Sequence, residues 1–207
     1  MKIKNFITFE GGECSGKTTI INEIVKMFDE MKISYIQTRE PGGIKIAEEI
    51  RDIILDINNT MMTPECEALL YAAARMQHLK EKIIPNANIG KIVLCDRYLD
   101  SSIAYQGVAR RLGIDNILKI NSFAIDHLPD LTIFIDVKPE VALKRLSLRD
   151  KTDRLDLETI DFHNKVYEGY HEALKLYPDR FMVIDGNQPL NDVIDDCKKA
   201  VLKYLGV

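Results

Sequence analysis

A glycine-rich loop near the start of the chain carries the strongest chemical signal in the sequence. The pattern G-x-x-x-x-G-K-T runs from Gly11 to Thr18, between a short apolar run and a helical pattern. Glycines let backbone N–H groups approach a di- or triphosphate, and the positive end of the following helix favours an anion. Lys17 would reach the β- and γ-phosphates, and the Thr18 hydroxyl can bind Mg²⁺. The predicted nucleotide-binding residues are Gly11, Gly12, Glu13, Cys14, Ser15, Gly16, Lys17, Thr18 and Thr19.

Two further segments that follow apolar runs bring arginines toward this loop. Arg39 lies just after the apolar run 34–38, and Asp96 and Arg97 follow the run 91–95. Parallel sheets collect their ligands outside the carboxyl ends of the strands, so these residues should share one crevice with the loop. Asp96 stands where an acidic residue supports Mg²⁺ in phosphate-loop proteins, and Arg97 suits bidentate phosphate contact. A plain surface ion pair is the alternative for Asp96 and Arg97. The arrangement predicts one anion site for a phosphoryl donor and one for an acceptor.

Two more arginines, Arg51 and Arg75, fall within helical patterns. Arg75 ends the apolar stretch 69–74, and a charge in such a place needs a partner because an unpaired buried charge is costly. Tyr71 precedes Arg75 by four residues, so the two side chains share a helix face. They could form a pocket for a nucleotide base, or they could be a core tyrosine and an unrelated arginine. The residues alone leave both interpretations open.

The segment from Arg145 to Arg154 is dense in charge and follows a predicted helix. Such a segment is usually a solvated surface. Here it follows the fourth apolar run on the crevice side, so a lid at about 146–156 that brings Arg149 or Arg154 to the transferring phosphoryl group is the alternative. The phosphate loop carries Cys14 and no arginine, which leaves Lys17 as its only cationic side chain. A supplied arginine can raise a phosphoryl-transfer rate by about 10³–10⁵.

Alternating apolar runs and helical patterns predict the elements that position these residues. Continuous rather than alternating apolar runs indicate a parallel sheet buried on both faces. The predicted strands are 3–9, 34–38, 91–95, 131–136 and 181–184, and the predicted helices are 16–31, 43–57, 64–84, 115–127, 139–149, 156–176 and 189–205. Pro85, with the segment from Asn86 to Gly90, is expected to end the third helix before the next strand. The fold class is therefore α/β, a five-stranded parallel sheet flanked by helices on both faces, in a single domain over 1–207.

Composition restricts the classes of partner. The chain has 207 residues and a net charge of −4, so no basic field indicates a nucleic acid or an acidic membrane surface. No apolar run is long enough to span a membrane. The four cysteines and four histidines lack the spacing of a disulfide framework or a zinc site, which favours a cytoplasmic protein with reduced thiols.

The chain resembles the thymidylate kinases almost from end to end. The resemblance is carried by Phe9–Thr19, by Arg39–Gly43 and above all by Asp96–Gly107. It implies a P-loop nucleoside monophosphate kinase fold, a homodimer, and transfer of the γ-phosphoryl group of Mg-ATP to the 5′-phosphate of dTMP. Because Cys14 replaces a loop arginine, the chain is similar to the bacterial type, whose arginines lie in the lid. Arg154 is preferred over Arg149 for contact with the transition state.

The resemblance also implies individual roles at the acceptor site. Arg97 and Arg39 would hold the acceptor phosphate region, supported by Arg51. Tyr71 would stack on thymine and Arg75 would bind its edge, assisted by Ser101 and Gln106. Tyr105 would crowd the ribose 2′ position, and Glu13 would lie near the 3′-hydroxyl. The predicted catalytic residues are Lys17, Arg97, Asp96, Arg154, Arg149 and Glu13, the predicted dTMP-binding residues are Arg39, Arg51, Tyr71, Arg75, Arg97, Ser101, Tyr105 and Gln106, and the predicted Mg²⁺ ligands, direct or through water, are Thr18 and Asp96.

Two alternative functions are open at this stage. Another P-loop kinase could share the loop, although the D-G-F-P-R element of adenylate kinases is absent and a deoxynucleoside kinase should not need so many acceptor arginines. A non-catalytic nucleotide switch is the second, although the chain lacks the N-K-x-D and D-x-x-G motifs of guanine-specific switches.

Overall fold

Five parallel strands form the centre of the fold. The structure is a computed structural model that describes residues 2–147 and 153–207. The strands are β1 (Lys2–Glu10), β2 (Tyr35–Arg39), β3 (Ile92–Asp96), β4 (Leu128–Asp136) and β5 (Phe181–Asp185). They lie in the order β2-β3-β1-β4-β5, and every neighbouring pair is parallel. The predicted five-stranded parallel sheet is confirmed.

Helices follow the strands along the chain. They are α1 (Lys17–Met31), α2 (Lys45–Leu55), α3 (Pro64–His78), α4 (Ile84–Asn88), α5 (Leu99–Ser102), α6 (Ile114–Ile120), α7 (Ser122–Ile125), α8 (Pro139–Leu146), α9 (Ile160–Leu176) and α10 (Leu190–Leu205), with π-helical segments at Leu79–Ile83 and Ile103–Ala109 and a 3-10 turn at Pro178–Arg180. In the part of the chain that the structure describes, no helix combines the length and the apolar character needed to cross a membrane.

The helix that covers Leu99–Ala109, formed by α5 and the π segment, was not predicted from the sequence. All but one of its side chains are buried, the exception being the half-buried Val108. A helix enclosed on every side has no solvent-exposed face, so the 3.6-residue alternation of apolar and polar faces that signals a surface helix is missing. This helix carries three of the predicted site residues, namely Ser101, Tyr105 and Gln106.

The third helix ends within the segment predicted to end it, Pro85 to Gly90, but it runs four residues beyond the predicted bound at 84. The helical path continues from α3 through the π turn at Leu79–Ile83 into α4, which ends at Asn88. A proline lacks the N–H that continues an α-helix, and the wider π turn directly before Pro85 accommodates that loss. Two other boundaries also differ. The predicted helix 115–127 is divided between α6 and α7 at Asn121, and α9 begins at Ile160, where the Thr159 side chain accepts a hydrogen bond from the N–H of Phe162 at 3.3 Å.

The sheet is buried between two apolar layers. On one face α1 and α10 pack against the strands through residues such as Ile24, Phe28 and Val201, and on the other Phe6 and Leu99 belong to a separate cluster. The strand register aligns Asp96 with both Phe9 and Arg39. The carboxyl ends of β1, β2 and β3 therefore meet at one edge, as the sequence predicted.

Candidate active site

A cavity of about 460 Å³ opens at the carboxyl ends of these three strands. Most of the residues predicted to bind nucleotides line it together: Glu13, Cys14, Ser15, Gly16, Lys17, Thr18, Thr19, Arg39, Arg51, Tyr71, Arg75, Asp96, Arg97, Ser101, Tyr105 and Gln106. Gly11, Gly12 and Arg154 are not among the residues that line it. Arg149 lies outside the described residues.

The glycine-rich loop wraps around the amino group of Lys17. Gly11 and Gly16 have φ angles of 149° and 94°, a region that favours glycine. A Cβ on Gly11 would lie 2.7 Å from the carbonyl oxygen of Ile135, so no larger residue fits there. Lys17 Nζ donates to the carbonyl oxygens of Gly11 and Gly12, both at 3.0 Å, and burial together with the charge of Arg97 lowers the pKa of Lys17. The ammonium group is held beside the loop where phosphates would bind.

Arg97 occupies the centre of the cavity and joins the loop to the opposite wall. Its backbone has a φ of 68°, and its N–H donates to the carbonyl oxygen of Phe9 at 2.9 Å. Its Nη1 donates to the carbonyl oxygen of Gly11 at 2.8 Å and to the Tyr170 hydroxyl at 2.6 Å, while Nη2 donates to Glu13 Oε1 at 2.7 Å. Five donors in a rigid plane allow one guanidinium to make all these contacts.

Glu13 is ionised in this arrangement. Burial acts to raise its pKa, but the charges of Arg97 and Lys17 and a hydrogen bond from the Tyr105 hydroxyl, at 2.7 Å, lower the pKa to about 2. The predicted neighbours Glu13, Tyr105 and Arg97 thus form one charged cluster, in which the Arg97 guanidinium also lies 5.1 Å from the centre of the Tyr105 ring.

Glu10 belongs to the same cluster, and sequence reasoning missed it. Its carboxylate is fully buried and accepts hydrogen bonds from the Tyr98 N–H at 2.7 Å, from Ser101 Oγ at 2.6 Å and from the Tyr170 hydroxyl at 3.2 Å. Burial and the charge of Asp100 raise the pKa of Glu10 to about 7. The available signal was a single acidic residue that ends an apolar strand directly before the loop. No such signal marked Tyr170, which reaches the site from α9.

The arginines near α2 and α3 differ in their exposure. Arg39 is exposed, and its Nη2 donates to both carboxylate oxygens of Glu48, at 2.8 and 2.9 Å. Arg51 Nη1 donates to the carbonyl oxygen of Pro41 at 2.9 Å. Arg75 is 1% exposed. Its Nε donates to Glu40 Oε2 at 2.8 Å. The partner that the sequence required for Arg75 is therefore Glu40.

A second buried carboxylate, Glu67, gathers several groups beside Tyr71. It accepts hydrogen bonds from Gln106 Nε2 at 2.8 Å and from Arg154 Nη2 at 2.5 Å. Arg154 Nε also donates to the carbonyl oxygen of Ile54 at 2.8 Å. Arg154 is therefore docked against α2 and α3, next to the acceptor side of the cavity.

Asp96 offers a position for a hard cation. Its Oδ1 is buried and has no hydrogen-bond partner within residues 2–147 and 153–207, and both Asp96 and Thr18 line the cavity. Carboxylate and hydroxyl oxygens are the ligands that Mg²⁺ prefers. The residues present therefore fit the ion predicted from the sequence.

The comparisons with known proteins all indicate the same family, and each match covers most of the chain. A family model described as thymidylate kinase matches residues 9–197. The chain is 54% identical to the thymidylate kinase of Clostridium novyi (strain NT), over 93% of this chain and 96% of the relative. It is 51% identical to the thymidylate kinase of Bacillus velezensis, over 97% and 96%, and 50% identical to that of Halalkalibacterium halodurans, over 98% of each.

Proposed function

Because the chain belongs to the thymidylate kinase family, we infer that it transfers the γ-phosphoryl group of ATP to dTMP, giving dTDP and ADP. The family resemblance, the P-loop kinase fold and the assignment as a phosphotransferase that serves dTTP biosynthesis are confirmed. The alternatives of an unrelated nucleotide switch and of a different P-loop kinase family are set aside with them. The roles of individual residues are our proposals.

We propose that the glycine-rich loop holds the phosphates of ATP. Its backbone N–H groups would bind the β- and γ-phosphates, and the Lys17 ammonium would neutralise their charge. The position of Lys17 Nζ beside the loop carbonyl oxygens supports this proposal. Thr18 and Asp96 would hold Mg²⁺, which supplies charge neutralisation to the phosphates when it is bound. The orphaned Oδ1 of Asp96 is the observation that favours this site.

We propose that Arg97, Arg39 and Arg51 orient the 5′-phosphate of dTMP. The observation that carries this proposal is the position of Arg97, whose guanidinium bonds the phosphate loop and Glu13 at once. A cation there would bring donor and acceptor phosphates together, and positioning of this kind is the main source of catalysis in phosphoryl transfer. Arg154, and Arg149 five residues before it in the sequence, would stabilise the transition-state charge.

The other acceptor residues would recognise the nucleoside. Tyr71 would stack on the base, and Arg75, Ser101 and Gln106 would bind its edge. Tyr105 and Glu13, joined by a hydrogen bond, would face the deoxyribose. All six line the cavity with the loop.

A coupled ADP-release assay tests this proposal. We expect turnover to be fastest with dTMP when dTMP, dUMP, dGMP and thymidine are compared at equal concentration. Arg97→Ala should lower kcat/KM for dTMP far more than it changes the affinity for ATP. Faster turnover with thymidine would contradict the acceptor assignment, since the arginines would then have no phosphate to bind.

We also propose a homodimer, supported by an apolar stripe on α2. Ile46 and Ile53 of α2 are about half exposed, and so are Ile57, which follows the end of that helix, and Leu69 of α3. Sedimentation should give twice the monomer mass, and Ile53→Glu should give the monomer because it buries an unpaired charge in the interface. A wild-type monomer at micromolar concentration would contradict the proposal.

The remaining expectations concern organisation and location. The single domain over 1–207 and the lid at about 146–156 stay predictions. We propose a cytoplasmic location, which the wide spacing of the four cysteines favours, and small-molecule substrates rather than nucleic acid or membrane, which the net charge of −4 favours.

A further inference from the structure

Glu67 has no role in the reaction as proposed so far, yet it is buried at the edge of the acceptor cavity. Its side chain is 1% exposed and lies one helical turn before Tyr71 on α3. It pairs with Arg110 at 3.1 Å and with Arg154 at 2.5 Å. Burial acts to raise its pKa, but the charge of Arg110 and hydrogen bonds from Gln106 and Arg154 lower it, so Glu67 is ionised at neutral pH.

An ionised carboxylate fixes the orientation of the Gln106 amide. Such a group can only accept hydrogen bonds, so the side of Gln106 that faces Glu67 must be its NH₂ group. The contact is 2.8 Å from Gln106 Nε2 to Glu67 Oε1. The Gln106 side chain also lines the cavity, which leaves its carbonyl oxygen as the atom offered to a ligand. This orientation follows from the chemistry of the partner and not from the amide alone.

The offered oxygen distinguishes bases by the hydrogen at N3. Thymine and uracil carry an N3–H that can donate to a carbonyl oxygen, whereas N3 of cytosine is an acceptor and would meet the oxygen unpaired. A buried polar atom left without its partner weakens binding strongly. We propose that Glu67 is a positioning residue that makes the acceptor site select bases with an N3–H, by holding the Gln106 amide in one orientation. This inference rests on the proposed acceptor site.

Glu67→Gln tests the inference because a neutral amide can either accept from Gln106 or donate to it. Gln106 could then turn its NH₂ group toward the cavity and bind cytosine N3. We expect the ratio of the dissociation constants of dCMP and dTMP, measured by titration calorimetry, to fall about tenfold, the worth of one hydrogen bond near 1.4 kcal/mol. A ratio is the right readout, since a loss of folded protein lowers the binding of both nucleotides equally.

Arg110→Met is the matched control. It removes a charged partner of Glu67, leaves the contact with Gln106 in place, and should keep the wild-type ratio. A fall in the ratio as large as that of Glu67→Gln would overturn the inference, because the charge cluster rather than the amide would then set selectivity.

The variant Gln106→Ala tests whether Glu67 affects base selection through Gln106, as proposed, or by another route. By itself it should lower the ratio, and adding Glu67→Gln should change the ratio no further. A further fall would show that Glu67 acts by another route and would overturn the inference. If Gln106→Ala leaves the ratio unchanged while dTMP is still phosphorylated, Gln106 does not read the base and the inference also fails. Failure of the wild-type protein to bind dTMP would instead refute the proposed function.

Discussion

Replacing Arg97 by methionine should leave the Glu13 carboxylate without its closest counter-ion, and the structure gives the size of the loss in folding free energy. Nη2 of Arg97 lies 2.7 Å from Glu13 Oε1, and the two side chains are only 16% and 19% exposed. Methionine keeps most of the apolar length of the side chain but removes every donor. The Tyr105 hydroxyl would still donate to the carboxylate and the charge of Lys17 would still act on it, but the close ion pair would be lost. Arg97→Met should therefore destabilise the protein as well as impair dTMP binding.

The shift in the Glu13 pKa gives the magnitude. A pKa lowered from 4.5 to about 2 corresponds to roughly 3 kcal/mol in favour of the ionised form, of which the charge of Arg97 is the largest favourable part. Removing one member of a buried pair typically costs about 3–5 kcal/mol, and the partial exposure here places the estimate near the lower end. For a domain of this size, roughly 2–4 °C per kcal/mol predicts a Tm lower by about 6–12 °C.

A double-mutant cycle with Glu13→Gln provides the assay. Urea unfolding of the wild type, both single variants and the double variant should give a coupling free energy of about 1–3 kcal/mol, because the double variant no longer buries an unpaired charge. The sign of the pH dependence follows from the lowered pKa: the stabilisation is present above pH 4.5 and is lost as the pH falls toward 2. Single-variant effects that simply add in the double variant would refute the reasoning, since the two charges would then be independent.

The remaining predictions concern Glu10 and Arg154. The pKa of Glu10 is raised from 4.5 to about 7, so the unfolded chain loses this proton first and stability should fall as the pH rises through that interval. Glu10→Gln should flatten the pH dependence of the urea midpoint between pH 4.5 and 7, and an unchanged slope would exclude Glu10 as its source. Arg154→Ala should lower kcat more than it raises the KM for ATP, whereas a normal kcat would remove Arg154 from the mechanism.

The parts of the site that the sequence predicted are those encoded by local pattern. The loop from Gly11 to Thr18 is contiguous in the sequence. A continuous apolar run precedes it and a helical apolar pattern follows it. Arg39 and Asp96 could be placed because each directly follows a predicted strand, and parallel strands end at one edge. For Arg75, the apolar surroundings predicted that a partner must exist. They could not identify Glu40, which lies 35 residues earlier and meets Arg75 only through tertiary packing.

The parts that were missed depend on burial from several directions. The helix over Leu99–Ala109 has no solvent-exposed face, so the sequence shows no helical hydrophobic period there. Glu10 and Tyr170 are 160 residues apart, and their contact at 3.2 Å exists only because α9 packs against that hidden helix. Apolar patterning reports which face of an element is buried, but it does not report which polar atoms meet inside.

Two arginines of the cavity, Arg39 and Arg75, differ in how easily their ion pairs with carboxylates can be broken. Arg39 and Glu48 have side chains 52% and 37% exposed, so water can replace either partner and an arriving phosphate can displace Glu48 at little cost. Arg75 and Glu40 are both 2% exposed, and parting them would leave a buried charge without its counter-ion. If Arg39 binds the acceptor phosphate as we propose, it can exchange the Glu48 carboxylate for that phosphate in each cycle. The Arg75 guanidinium also donates to Asn121 Oδ1 at 2.7 Å and to the carbonyl oxygen of Tyr98 at 3.1 Å. In the role we propose, Arg75 would therefore act from a fixed position, with the N–H hydrogens that Glu40, Asn121 and Tyr98 do not use.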